Sequence, residues 1–172
     1  MFEIHYYFTP ILDALETFDE NDWHLCPVLT LVTAKALRDR LELPRNVENL
    51  NACYDRLQKI SVDFLTVNLH GRKYGRQFLL KLQEKLAEPG ILAYNDLLRH
   101  QILQEIGLRT SDFIIYRDFG KQELALVSQN FHKDNFKQSP AGLIMTDTEY
   151  LQLNKCDHHH LQNYLKNIEK TA

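Results

Sequence analysis

The sequence predicts an α+β fold, with a helical middle and a small antiparallel sheet in the C-terminal half. Its first segment, FEIHYYF, places Phe2, Ile4, Tyr6 and Phe8 on one side, as in a half-buried strand. Apolar residues then recur at helical spacing through the middle of the chain. Short apolar runs near the C-terminus are bounded by turn residues, as antiparallel strands are. No linker is visible, so residues 1–172 are expected to form a single domain.

The N-terminal elements follow from local patterns. Residues 2–8 are predicted to form a strand that could join the C-terminal sheet. Thr9 followed by Pro10 is typical of a helix start, which predicts a short helix over residues 10–18. Residues 19–22 are expected to be a polar loop.

Two helices and a second strand are predicted next. The apolar run at 25–32 leads into residues 33–41, as one helix or as two abutting helices. Pro44 ends that segment, and Asn46 is placed to cap the following helix. The β-branched and aromatic residues of segment 61–69 favour a strand.

The path of the chain after the loop at 70–75 stays open between two interpretations. Leucines at helical spacing predict a helix from Arg76 that ends before Pro89, whereas residues 78–80 could instead begin a strand that pairs with 62–69.

The C-terminal half is predicted to combine helices and strands. Asn95 is expected to cap a helix that runs through Ile106, with Gly107 closing it. The runs 113–116 and 123–127 flank Asp-Phe-Gly-Lys and predict a β-hairpin. A short strand at 143–145 and a helix starting near Asp157 complete the chain.

Composition points to an ordinary globular protein of a reducing compartment. The chain is 44% hydrophobic and 25% charged, with a net charge of −3. Its three cysteines are odd in number and far apart, which argues against a disulfide framework. The N-terminus lacks the features of a signal peptide, and no apolar run is long enough to span a membrane. We therefore expect a cytoplasmic protein.

Positive charge is concentrated in residues 33–81, which carry ten Lys or Arg against five Asp or Glu. The same segment contains the pattern ALRDRLELPRNVENL, two predicted helices joined by a turn at Pro44. This pattern resembles the winged-helix region of bacterial regulators and of plasmid replication initiators. The resemblance implies a winged helix-turn-helix subregion over residues 33–81, with a wing formed by 62–69 and 76–82.

The resemblance predicts a small DNA-binding protein that regulates transcription or plasmid or phage replication and is not an enzyme. Side chains on the second helix would read bases or phosphates, and basic residues at the wing tip would neutralise phosphates. The candidate nucleic-acid-binding residues are Arg45, Asn49, Arg56, Arg72, Lys73 and Arg76.

An alternative hypothesis is a protein-interaction module of the immunity or assembly type. Residues 1–32 hold six acidic side chains and no Lys or Arg, so they could dock on the basic surface of a protein partner. No membrane partner is expected, and the oligomeric state is left open.

No catalytic residue, metal ligand or cofactor is assigned from the sequence. The run Cys156–His160 is its densest group of metal-capable side chains, but two ligands that share a helix face do not make a site, so metal binding by Cys156, His158 and His160 is left open. Trp23-His24-Leu25-Cys26 is interpreted as part of the core. The Gly71–Gly75 loop lacks the spacing of a phosphate-binding loop.

Overall fold

The fold is known from a computed structural model, which describes residues 2–16 and 23–171. Four strands form one sheet: β1 (Glu3–Phe8), β2 (Trp23–Pro27), β3 (Ala141–Met145) and β4 (Tyr150–Asn154). The helices are α1 (Leu31–Arg40), α2 (Val47–Asn68), α3 (Arg72–Leu86), α4 (Asp96–Ile106), α5 (Thr110–Ile115), α6 (Arg117–Lys133) and α7 (His158–Thr171), with a 3-10 turn at Ile91–Ala93. The predicted α+β class is confirmed.

The sheet has the strand order β2-β1-β3-β4. β1 pairs in parallel with β2 and antiparallel with β3, and β3 forms an antiparallel hairpin with β4. The predicted strand at 143–145 is thus present as β3, and β1 joins it as expected, whereas β4 was not predicted. β2 was missed, because its apolar residues continue into the run that leads to α1 and hide the boundary at Pro27.

Each face of the sheet has its own apolar cluster. Ile4, Tyr6 and Phe8 of β1 belong to the main core, which also takes in residues of α2, α3, α4 and α7. Tyr7 faces the other way and packs against Phe131 and Phe136, with ring centroids 5.4 and 5.2 Å apart. The alternation expected of a strand that is covered on both faces is therefore present along β1.

Helix α2 runs through the helical part of the molecule, and the predicted strand at 61–69 is wrong. Residues 61–67 lie within α2 and are all buried. A helix segment that is buried on every side has no polar face, so it loses the period that identifies a helix in sequence. Asn46 caps α2 as expected, because its side chain accepts the N–H of Asn49 at 2.8 Å.

The predicted wing is also absent from the structure. Residues 76–82 lie in helix α3, which resolves the open alternative at 76–88 in favour of the helix. With 62–69 and 76–82 both helical, the winged helix-turn-helix interpretation of residues 33–81 is wrong.

The predicted hairpin at 113–127 is wrong as well, since α5 and α6 occupy this region. Gly120, taken as a turn residue, lies inside α6. A Cβ atom there would come within 2.1 Å of Thr66 Oγ1 and 3.0 Å of the Val62 carbonyl oxygen. The glycine therefore allows α6 to approach α2 closely.

The remaining predictions divide between confirmed and wrong elements. The helix capped by Asn95 and closed by Gly107 is confirmed as α4, and the final helix as α7. The described residues 10–16 form turns and bends instead of the predicted helix, while the predicted loop at 19–22 lies outside the described residues. None of the described helices is both long and apolar enough to cross a bilayer.

Candidate functional site

A strained turn follows β1 and forms one wall of a cavity. Ile11 has φ of 70°, in the left-handed region where a β-branched residue is a genuine outlier. Such strain persists only where neighbouring contacts fix the backbone, and it is frequent at ligand sites. Hydrogen bonds within the turn and to Ser139 and Gln83 hold residues 9–15 in this conformation.

Asp13 closes the turn. Its carboxylate accepts the N–H of Thr9 at 2.7 Å, and its own N–H donates to the Thr9 carbonyl oxygen at 2.9 Å. Burial raises the pKa of Asp13, while hydrogen bonds from Thr9 N–H and with Ser139 oppose part of that rise. The carboxylate is thus engaged in holding the turn together.

Two further contacts fasten the turn to distant elements. The Thr9 hydroxyl lies 2.5 Å from the hydroxyl of Ser139, which precedes Pro140 in a cis peptide bond at the start of β3. The Gln83 side chain of α3 accepts the N–H of Leu15 at 2.6 Å and donates to the Leu15 carbonyl oxygen at 3.0 Å. The turn is therefore fixed against both the sheet and α3.

The cavity beside this turn has a volume of about 390 Å³. This volume falls within the range of roughly 300–1,000 Å³ that is usual for ligand sites. Its lining is mainly apolar and comes from the turn, α1, α3 and the 3-10 turn: Ile11, Leu12, Ala14, Leu37, Leu41, Leu86, Ala87, Gly90 and Ile91. Arg40 and Gln83 supply the polar groups.

Arg40 gives the cavity a positive rim. It lies at the exposed end of α1, and its guanidinium lowers the pKa of Asp13 slightly against the larger effect of burial. An apolar pocket with one cationic group is suited to a ligand that joins an apolar body to an anionic group. Gln83 bonds to the backbone of Leu15, so its side chain contributes to the wall.

The three cysteines of this chain lie on separate parts of the fold, and burial disfavours their thiolate forms. Its three cysteines are all free, and they lie in β2, in α2 and before α7. Burial raises the pKa of Cys26 to about 12 and also raises the pKa of Cys53 and Cys156. Disulfide exchange needs an accessible thiolate, which a raised pKa disfavours.

The candidate nucleic-acid-binding residues mostly make contacts within the fold. Arg45 lies 3.4 Å from Asp39, the Asn49 side chain donates to the Pro44 carbonyl oxygen at 2.9 Å, and Arg56 donates to the Tyr94 carbonyl oxygen. The other three belong to α3: Arg72, Lys73 and Arg76. They lie near the start of a helix and not at the tip of a wing.

The C-terminal histidine run does not form one metal site with Cys156. Helix α7 starts at His158, so Cys156 precedes it and does not share its face. His158 is buried, with its ring 5.1 Å from the Trp23 ring, whereas exposed His160 lies 2.7 Å from Asp157.

Similarity to a known structure supports the fold alone. No family model and no curated protein matches the chain. A crystal structure described as a "putative protein disulfide isomerase from Nitrosomonas europaea" is similar to it, with a TM-score of 0.61 and 10% sequence identity. The similarity covers 99% of this chain and 98% of that one.

This similarity, together with the helical state of the expected wing, contradicts the predicted DNA-binding regulator of the winged-helix type. The alternative of a module that docks through an acidic N-terminal region stays a prediction, since Asp19, Glu20 and Asp22 lie outside the described residues. Of the described acids, Asp13 is engaged in the turn, and Glu3 lies 2.9 Å from His5. Sequence reasoning missed the turn because Thr9-Pro10 is also the signature of a helix start. The chain thus shares its fold with a structure that is described as a putative protein disulfide isomerase.

Proposed function

We propose that this protein binds a polypeptide segment without exchanging disulfides. The observation that carries the proposal is the cavity behind the Thr9–Asp13 turn, which is apolar, open to solvent and rimmed by Arg40. The similar structure is named for an enzyme whose substrate is a protein. In this proposal the chain uses its cavity to bind a polypeptide and takes no part in oxidising or reducing it, because its three cysteines are free and have raised pKa values.

The bound segment is one with an apolar side chain next to an acidic one. The apolar side chain would enter the cavity between Leu37 and Leu86, and the carboxylate would lie at the rim beside Arg40. Desolvation of the apolar surface supplies affinity, while the charge selects the sequence. A cytoplasmic location, proposed here from the free cysteines, fits a role that needs no disulfide.

Binding is tested with two fluorescent peptides of equal length, one of Leu-Asp repeats and one of Leu-Lys repeats. Fluorescence anisotropy is expected to show that the Leu-Asp peptide binds more tightly. Ala87→Phe fills the cavity from an exposed position and should abolish this binding. Glu88→Phe is the matched control, since it adds the same side chain one residue away from the lining.

Charge is tested separately. Arg40→Glu should reverse the preference between the two peptides, and Lys35→Glu on the same helix, which does not line the cavity, should not. An assay with scrambled ribonuclease should show no disulfide isomerisation by the wild type. Catalysis in that assay rejects the proposal. It is also rejected if the wild type and Ala87→Phe both bind the two peptides with equal affinity.

A further inference from the structure

A second cluster of polar side chains lies at the opposite end of β1 from the Thr9 turn. Glu3 and His5 are two residues apart on β1, so their side chains project from the same face of the sheet. His24 of β2 is the register partner of His5. The two imidazole rings stack with their centroids 4.7 Å apart. Strand pairing alone therefore brings two imidazoles and one carboxylate together.

The distances within this cluster suit a shared metal ion. Glu3 Oε1 lies 2.9 Å from His5 Nε2 and 3.6 Å from His24 Nε2, and all three potential ligand atoms are within 4.8 Å of one another. Zinc–ligand bonds of about 2.1 Å in a tetrahedron place ligand atoms roughly 3.4 Å apart. The two observed separations lie on either side of that value. Because a carboxylate can only accept, His5 donates from Nε2 to Glu3, and that proton must leave Nε2 before His5 can bind the ion.

We propose that Glu3, His5 and His24 form a binding site for a divalent transition-metal ion of the zinc type. Two imidazoles and a carboxylate are a ligand set that zinc adopts when a fourth position stays open. The open position faces a cavity of about 320 Å³, which Glu3 and His24 line together with Asp147 of the β3–β4 turn. The Asp147 carboxylate and the Arg72 guanidinium both line this cavity, so its charge is mixed.

Arg72 would compete with the metal ion for the Nε2 atom of His24. Its guanidinium nitrogen lies 3.2 Å from His24 Nε2, and a guanidinium can only donate. His24 therefore presents its Nε2 lone pair as an acceptor, which is the form that a metal ion requires. A bound ion must displace this contact and lie beside a positive charge. Removal of the Arg72 charge should consequently tighten metal binding.

Zinc binding is tested by isothermal titration calorimetry on untagged protein, because an affinity tag of histidines would obscure the result. The wild type is expected to bind one zinc ion at this cluster, and His24→Gln should weaken that binding by at least roughly tenfold. Arg72→Gln should strengthen it. His159→Gln combined with His160→Gln is the matched control, since it removes two exposed histidines elsewhere, and it should leave binding at the cluster unchanged.

Circular dichroism establishes that each variant is folded. If His24→Gln is not, Glu3→Gln replaces it, because the Glu3 side chain is 54% exposed and tolerates an isosteric change. The visible absorption of bound Co²⁺ gives a second readout, with intense bands expected in the wild type and their loss in His24→Gln. A folded His24→Gln or Glu3→Gln protein that binds zinc as tightly as the wild type overturns the proposal, as does a wild type that binds none.

Discussion

Replacement of Gly120 by alanine tests whether α6 packs against α2 as closely as the structure shows. The new Cβ atom would lie 2.1 Å from Thr66 Oγ1, 3.1 Å from Thr66 Cβ and 3.0 Å from the Val62 carbonyl oxygen. Rotation of the Thr66 side chain can relieve only the first of these contacts. The other two involve the backbone or an atom fixed to it, so the two helices must move apart.

The magnitude follows from two opposing effects. Overpacking of a well-filled contact costs about 1–3 kcal/mol, and contacts that require backbone movement belong at the upper end. Alanine is favoured over glycine inside a helix by about 1 kcal/mol. The expected net loss in free energy of unfolding is therefore about 2 kcal/mol. For a chain of this length, that loss lowers Tm by roughly 4–8 °C.

The assay is urea unfolding monitored by circular dichroism, with Ala125→Gly as the matched control. Ala125 is exposed on the same helix, so its replacement measures helix propensity without a packing change. Thr66→Ala should partly rescue Gly120→Ala, because it removes the hydroxyl that donates to Val62 O at 2.7 Å and meets the new Cβ atom. Gly120→Ala as stable as the wild type would refute the close approach of α2 and α6.

Three further outcomes are expected. Tyr94→Phe should lose about 1–3 kcal/mol in urea unfolding, because the buried Tyr94 hydroxyl donates to Asp63 at 2.7 Å, whereas exposed Tyr150→Phe should change nothing measurable. The pKa of Asp157 is lowered chiefly by the N–H of His160. The ionised Asp157 should therefore stabilise the folded protein above the unfolded pKa of about 4, and this stabilisation should be lost as pH falls through the folded pKa. Thermal unfolding should show a smaller loss of stability on acidification in Asp157→Ala than in the wild type. Iodoacetamide should leave Cys26 unmodified in the native protein, as detected by mass spectrometry, since burial raises its pKa to about 12. In urea-unfolded protein the same cysteine should be alkylated. Rapid labelling of Cys26 in the native protein would contradict its burial.

Sequence patterns predicted the elements whose signals are local. Asn46, Asn95 and Gly107 mark helix ends through hydrogen bonds or a backbone conformation that depends on the residue itself, and all three were interpreted correctly. The segment at 61–69 was wrongly interpreted as a strand. Residues 61–67 of α2 are buried on every side, so this part of the sequence lacks the apolar and polar period that identifies a helix. Gly120 was misassigned for a related reason, since its role lies in contact with a different helix.

The candidate sites were harder to predict than the fold. The turn at 9–13 depends on Ser139 and Gln83, which are remote in sequence, and the Thr9-Pro10 pair is ambiguous by itself. The Glu3–His5–His24 cluster depends on the register between β1 and β2, and β2 was not recognised as a strand. The spacing of Glu3 and His5 on a predicted strand was the one signal available for it.

The position of β1 between β2 and β3 determines when the sheet can be completed during synthesis. The hydrogen bond between Thr9 and Ser139 spans 130 residues. The second pairing partner of β1, strand β3, is therefore synthesised only after the whole helical region. At about 5–20 residues per second, this wait lasts on the order of ten seconds. Throughout it, the edge of β1 that later receives β3 has unpaired backbone groups. The nascent chain therefore carries an open strand edge until β3 leaves the ribosome.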